Sequence, residues 1–255
     1  MTVLRAVPAA FAFLTRLPVG GPAFTAEDLR WSSAHFPLVG AVLGSALAGV
    51  MLVSARAGPV VSAALAVSAG MLLTDAFHED GLADTADALG SASDREKLFV
   101  ILRDSGIGTF GAAALCMALL LRVALLSALA GLAPLALLLT QALARLPPVW
   151  MMAILPSVSP EGAKSSAVVR AGAAQVAVAS GWIALLFGAA AVTGFLDWRL
   201  LVGLLAIAGL TAVACGVRFM RRAGGLTGDF LGATEQVVEC TLLLTLALWR
   251  GSGVR

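Results

Sequence analysis

Long apolar runs separated by short polar stretches set the pattern of this chain. Membrane-spanning helices are predicted over about Phe36 to Val53, Val60 to Phe77, Ile107 to Ala130, Leu135 to Leu155, Ala174 to Phe195, Leu200 to Phe219 and Thr234 to Trp249. Each run lies near the roughly 20 residues needed to cross ~30 Å of hydrocarbon. Transmembrane barrels are built from short alternating segments, so runs of this length argue against a β fold. The fold class is therefore all-α: a polytopic membrane bundle of about seven helices, with residues 1–255 forming one membrane-embedded domain. The N-terminal apolar patch, Ala9 to Leu14, is too short to span and is flanked by Arg5 and Arg16. It reads as an interfacial or re-entrant segment rather than a cleavable signal peptide.

Details inside the runs refine this picture. Gly40, Gly44 and Ala48 fall at four-residue spacing and predict a close helix contact. Pro147-Pro148, with Arg145 just before, predicts a kink in the fourth span. Gly20-Gly21-Pro22 marks a loop after the N-terminal segment. Three polar stretches, about Gly90 to Ser105, Pro156 to Ala171 and Met220 to Ala233, separate spans on one side of the membrane.

Composition agrees with a membrane protein: 60% of residues are hydrophobic and mean hydropathy is +0.96. The three cysteines lie inside apolar runs without CxxC or Cys/His spacing, which argues against zinc or a disulfide framework. A net charge of +2 says little about partners, and no nucleic-acid partner is expected. Its distribution says more. The N-terminal segment and the three polar loops carry eleven Lys and Arg against four on the opposite side. The positive-inside rule then puts the N-terminus and all three loops on the cytoplasmic face.

Against this apolar background, residues 78–87 hold one histidine and four carboxylates, although only 13% of the chain is charged. On a helix, Asp80, Asp84 and Asp87 stand at i, i+4 and i+7, on one face. Like charges at that spacing repel. A divalent cation between them reverses the balance, and an all-oxygen donor set suits Mg²⁺, Mn²⁺ or Ca²⁺. The bland alternative is a solvated helix end.

Two further stretches fall on the same predicted face. Arg103-Asp104-Ser105-Gly106-Ile107-Gly108 precedes the third span. Its arginine suits phosphate, and its glycines can expose backbone N–H groups to an anion. Gly225-Leu226-Thr227-Gly228-Asp229 precedes the last span, which begins with Glu235 and Glu239 on one helix face. Glu239 lies at or within the membrane boundary, where an ionisable group is costly, and Arg145 is its predicted ion partner. Together the three stretches describe a metal–diphosphate site: Mg²⁺ on carboxylates, arginine on the remaining phosphate charge, and a spare carboxylate to take a proton.

The motifs resemble those of the cobalamin synthases, the adenosylcobinamide-GDP ribazoletransferases. The resemblance rests on His78-x-Asp80-Gly81-Leu82-Ala83-Asp84-Thr85-Ala86-Asp87, on Arg103-Asp104-Ser105-x-Ile107-Gly108-Thr109-x-Gly111 and on Gly225-x-Thr227-Gly228-Asp229-x-Leu231-Gly232-Ala233. Leu14-Thr15-Arg16-Leu17-Pro18 and Phe36-Pro37-Leu38-Val39-Gly40 extend it toward the start. Ala88 stands where the family usually has Gly, Arg103 where it commonly has Lys, and Asp75 is an extra acid with no assigned role.

The resemblance implies a membrane enzyme of the bacterial inner membrane, multi-pass, with its site on the cytoplasmic face. It would join α-ribazole, or its 5′-phosphate, to adenosylcobinamide-GDP, giving adenosylcobalamin or its phosphate and GMP. Carried onto this chain, Asp80, Asp84 and Asp87 would hold Mg²⁺, with Asp104 and Asp229 as further ligands or orienting groups of the catalytic centre. His78 or Glu79 would be the base, and Arg103, Ser105, Gly108, Thr227 and Gly228 would bind substrate. The lipid bilayer is the other partner, and association into a homo-oligomer is left open.

Two other membrane transferases share part of the chemistry. A CDP-alcohol phosphotransferase expects Ala-Arg after its Asp-Gly, where this chain has Leu82-Ala83-Asp84. An aspartate-rich prenyltransferase expects adjacent aspartates, which are absent here. A cation transporter needs acids near mid-span, whereas most acids here sit at span ends.

Overall fold

The computed structural model describes residues 2–19, 23–159, 170–194 and 197–251. Gly20-Gly21-Pro22 and most of the Pro156 to Ala171 loop therefore lie outside the described residues. Among those described, the secondary structure is helical apart from one isolated parallel bridge, Ser157 with Leu226.

The N-terminal patch forms α1 (Thr2–Leu14), about 20 Å long at 1.5 Å per residue and too short to span. It packs chiefly on α2 (Ala26–Ser32), a short helix the hydropathy pattern did not reveal. Thr25 and Asp28 start α2 with a reciprocal capping box, satisfying two orphan backbone N–H groups.

The apolar runs become α3 (Phe36–Val53), α4 (Pro59–Thr74), α7 (Thr109–Leu129), α8 (Ala133–Ala144) with α9 (Leu146–Ile154), α10 (Ala173–Val192), α11 (Trp198–Ala223) and α12 (Gly228–Gly251). Between α4 and α7 lie α5 (Phe77–Ser91) and α6 (Arg95–Ile101). Among the described residues, five continuous helical stretches are long and apolar enough to cross a membrane, or six with the bent pair α4–α5. One of these, Thr109–Ile154, runs for 46 residues. That is about 69 Å, twice the hydrocarbon thickness. It folds back at Ala130, whose φ is 46°. The contacts show the reversal: Ser127, near the end of α7, reaches Pro59 at the start of α4, while Gln141 in α8 returns to Glu239. The stretch therefore doubles back and is long enough for two passes.

Gly40 and Gly44 seat α3 against α8, the most extensive helix pair in the molecule. A Cβ at Gly44 would meet the Leu137 carbonyl oxygen at 2.5 Å, and one at Gly40 would strike the Gln141 carbonyl. Small residues thus let the two backbones touch, as the spacing predicts. The prolines of the fourth span do not sit inside a bent helix. The helix stops at Arg145, and Pro147-Pro148 occupy the first turn of α9, where N–H groups have no intrahelical acceptor.

Two boundaries differ from the predicted ones in ways that shape the site. The second span ends at Thr74, not Phe77, because Asp75 and Ala76 both adopt left-handed backbone (φ 58° and 52°). This corner turns α5 by 90° away from α4, so α5 packs across α12 and α7 rather than continuing the second span. Asp75, which had no role in sequence, pairs with Arg16 at 2.6 Å and ties the end of α1 to the corner. The last helix begins at Gly228 rather than Thr234, which shortens the third polar loop to Gly224–Thr227 and puts Asp229 in the first turn of α12.

A left-handed alanine carries a penalty of about 1–2 kcal/mol that glycine does not. Ala76→Gly is expected to stabilise the protein by roughly 1 kcal/mol, less than the full penalty because glycine gains unfolded-state freedom. Thermal unfolding in detergent would show it, and a lowered midpoint would count against strain at this corner.

Candidate active site

Three segments meet at the bundle mouth, held there by glycines and hydrogen bonds. Gly81 of α5 lies against the backbone of Asp229, where a Cβ would come within 2.9 Å of the carbonyl oxygen. Gly232 faces the His78 backbone across the same crossing. This contact brings Asp229 beside the aspartate face of α5. The N-terminus of α7 is fixed by Asp87, whose carboxylate accepts the Gly108 N–H at 2.7 Å and the Gly111 N–H at 2.8 Å. A Cβ at either glycine would collide with that carboxylate. Asp87 thus serves as an N-terminal anchor for the α7 dipole, with one lone pair on each oxygen still free.

The loop before α12 is held in turn. Val158 donates to the Leu226 carbonyl at 2.9 Å, and Leu226 to the Pro156 carbonyl at 2.8 Å. Thr227 Oγ1 accepts the Phe230 N–H at 3.3 Å, capping α12. Arg222 closes the far side by donating to the Ala92 carbonyl at 2.6 Å, at the end of α5.

The predicted site residues divide into three groups. Asp80 is exposed, and Asp84 and Asp229 are half-buried, on the face where α5 meets α12. Burial, and then the charges of Asp80, Asp229 and Asp87, push the Asp84 carboxyl up to about 7. Four carboxylates close enough to resist one another's ionisation are a cost that a cation would relieve. Among the described residues no three His, Cys, Asp or Glu side chains are grouped closely enough to hold a metal ion as they stand. The donor chemistry fits a hard divalent cation, while the carboxylates stand open rather than converged.

Arg103, Asp104 and Ser105 form the second group, exposed on the loop before α7. Asp104 Oδ1 accepts the Gly106 N–H at 3.0 Å and shapes its own turn. The loop stands next to Asp87 through Gly108, but these three side chains make no contact with the aspartates.

His78 and Glu79, the third group, face the protein interior. Glu79 lies about 100° round α5 from Asp80 and is only 4% exposed. It pairs with Arg122 of α7 at 2.9 Å. His78 is equally buried, and its burial, followed by the charge of Arg145 and then Arg122, takes the imidazole down to about 3.

Beneath α5 this interior holds a connected polar network that sequence reading resolved only in part. Arg122 also reaches Glu239 at 3.4 Å, and Gln141 donates to Glu239 at 2.7 Å. Arg145 donates to Gln141 Oε1 at 2.8 Å and pairs with Glu235, not Glu239, at 2.9 Å. Gln236 donates to Glu235 at 3.0 Å. All of these side chains are buried. Arg122 was legible as a charge inside a span, but nothing in its neighbourhood along the chain pointed to Glu79, 43 residues away.

Comparison with known proteins bears directly on this arrangement. The family model described as cobalamin-5-phosphate synthase matches residues 6–247. Curated relatives named adenosylcobinamide-GDP ribazoletransferase include one from Albidiferax ferrireducens, 38% identical over 92% of this chain and 95% of that protein. Others come from Rhizobium etli (39% identical, 93% and 94% covered) and Ralstonia nicotianae (38% identical, 97% and 96% covered). No solved structure matches the chain. A match over nearly the whole length, at this identity, means that the chain belongs to the cobalamin-5-phosphate synthase family.

Proposed function

We propose that this chain is the membrane transferase that joins α-ribazole, or its 5′-phosphate, to adenosylcobinamide-GDP, releasing GMP and closing the nucleotide loop of cobalamin. Its relatives' names point to that reaction. The observation that carries the reading in this chain is the meeting of the aspartate face of α5, the N-terminus of α7 and the first turn of α12 at one mouth.

Asp80 and Asp84 would hold Mg²⁺, with the free lone pairs of Asp87 beside them. The ion, when bound, would neutralise charge on the diphosphate oxygens and on the departing GMP. The protein's own groups have the remaining tasks. The Arg103 guanidinium is exposed on the loop that Asp87 anchors, and its planar fork suits two oxygens of one phosphate. The Ser105 hydroxyl and the Gly228 backbone flank the same mouth, whereas the Thr227 hydroxyl is buried as the cap of α12 and does not face substrate as predicted. The ribazole hydroxyl attacks the phosphorus nearest the corrinoid. The new oxygen–phosphorus bond forms as the bond to GMP breaks, and GMP leaves with the electron pair. The hydroxyl proton passes to a carboxylate on the open face. Asp229 is our assignment for that base, because it is half-buried at the α5–α12 crossing, whereas Glu79 is engaged by Arg122 and His78 is buried and weakly basic. Glu79 and His78 then position α5 rather than move the proton.

The basic loops lie on the face that carries the site, so the positive-inside rule assigns that face to the cytoplasm of a bacterial inner membrane. Adenosylcobinamide-GDP and the corrinoid product, both large and charged, would never need to cross the bilayer.

Purified protein in proteoliposomes, given both substrates and Mg²⁺, is expected to release one GMP for each corrinoid consumed. Release of CMP from a CDP-alcohol without that turnover would favour the other phosphotransferase class. Cation flux without either would favour a transporter.

A further inference from the structure

Helices α9 and α11 leave an apolar groove of about 620 Å³ between them, within the ~300–1,000 Å³ of small-molecule sites. Trp150 and Ile154 line it from α9, and Val213 and Val217 from α11. On α11 the lining advances by three or four residues from Gly209 to Arg221, which is one helix face. Two of its steps are glycines, and they leave the groove its depth. A Cβ at Gly209 would meet the edge of the Trp150 ring at 4.0 Å, and one at Gly216 would press on Leu155 Cδ1 at 3.1 Å. Ile154, Val213 and Val217 are exposed, and α11 is long and apolar enough to span, so the groove opens toward lipid.

Its length and its one charge say what fills it. From Gly209 to Arg221 the face is about 18 Å long. That is close to the depth of one leaflet, half of ~30 Å of hydrocarbon. Arg221 closes the end nearest the loop before α12, on the side of the membrane that carries the aspartates. Its side chain is exposed and forms no salt bridge among the described residues. Arginines at the ends of spanning helices reach the interface, where lipid phosphates lie. An arginine in a last turn also complements the helix dipole. The dipole explains the charge but not the groove that runs up to it.

We infer that this groove holds one acyl chain of an anionic phospholipid from the leaflet on the site's side, with the lipid phosphate on Arg221. Any chain fits apolar walls by packing alone, so the charge at the end selects the lipid. Arg218, three residues back and also exposed, lies within about 60° of Arg221 around the helix and strengthens the selection. A second copy of the chain suits the groove poorly. A two-fold contact centred here would bring both Arg221 side chains to one level of one interface, like charges together.

The test uses the full-length protein, delipidated in detergent and titrated with phosphatidylglycerol or phosphatidylcholine under native mass spectrometry. The first phosphatidylglycerol is expected to bind about fivefold more tightly than phosphatidylcholine, the worth of one basic side chain at an anionic surface. Arg221→Gln should erase most of that preference while phosphatidylcholine binding stays within about twofold. Val213→Trp fills the groove from its exposed side and should remove the one-to-one step for both lipids. Val217→Phe should weaken that step if the larger side chain impairs folding, which the unfolding midpoint reports. Glycerol phosphate, which has the anion without the chain, should not displace the bound lipid. Equal affinities of the wild type for the two lipids would overturn the proposal, as would unchanged binding in folded Val213→Trp and Val217→Phe. Displacement by glycerol phosphate would reduce the site to a surface anion site and overturn it too. A lipid-free dimer that Val213→Trp dissociates would overturn it in favour of a second copy.

Discussion

Asp84→Asn is expected to abolish GMP release while making the metal-free protein more stable at pH 8. The two effects have one origin. Asp84 is held near Asp80, Asp229 and Asp87, and burial together with these charges pushes its carboxyl up to about 7. A carboxyl that is harder to ionise folded than unfolded binds more protons in the native state between the two pKa values. Stability therefore falls as pH rises from about 4 through about 7. Asparagine never ionises, so the variant escapes that loss. Its unfolding midpoint should exceed that of the wild type above pH 7 and converge on it as pH falls toward 4. Mg²⁺ should close the gap at pH 8 by stabilising only the wild type, because a ligand stabilises the state that binds it. The activity loss should exceed the ~10–100-fold typical of removing a group that merely orients a metal ligand. Thermal unfolding with and without Mg²⁺, alongside GMP release, measures both effects. Near-normal turnover by the variant would remove Asp84 from the metal site.

The spans were legible because the signal for them is additive along the chain: each residue of α3 or α11 contributes its own apolarity. The aspartate stripe of α5 was legible for the same reason, since spacing on one helix is local information. The corner at Asp75-Ala76 was not, because neither residue is a glycine and the left-handed turn is imposed by packing rather than by local preference. The glycines before α7 and α12 were noticed, but their use was not. Gly108 looked like a group offering its N–H to a substrate anion, and in the fold Asp87 takes that N–H. Gly81 looked like part of a motif, and in the fold it is the space that lets Asp229 approach. Close approach between distant segments leaves only a small residue at each end as its trace, and small residues are common along membrane helices wherever two of them pack.

Arg122→Leu is expected to be the most destabilising single substitution of the polar interior. Arg122 is 4% exposed and sits between Glu79 at 2.9 Å and Glu239 at 3.4 Å. Removing it strands two buried carboxylates, and breaking a buried ion pair in this way costs roughly 3–5 kcal/mol. Much of that cost belongs to the stranded acids rather than to the bond itself. The triple variant Arg122→Leu, Glu79→Gln, Glu239→Gln should therefore regain most of the lost stability, because it leaves no unpaired charge. Activity should not return with it. Glu79 is the residue next to Asp80, and its bridge to Arg122 clamps the N-terminal turn of α5 onto α7. Without that clamp the aspartate face loses its fixed position against Asp229, and positioning losses appear in kcat. Unfolding midpoints of the single and triple variants separate the charge effect, and GMP release by the triple variant separates the clamp. A triple variant as active as the wild type would mean that Gly81 and Gly232 alone hold α5 in place. A single variant within about 1 kcal/mol of the wild type would mean that water or lipid headgroups already reach the network, since exposed ion pairs contribute no more than that.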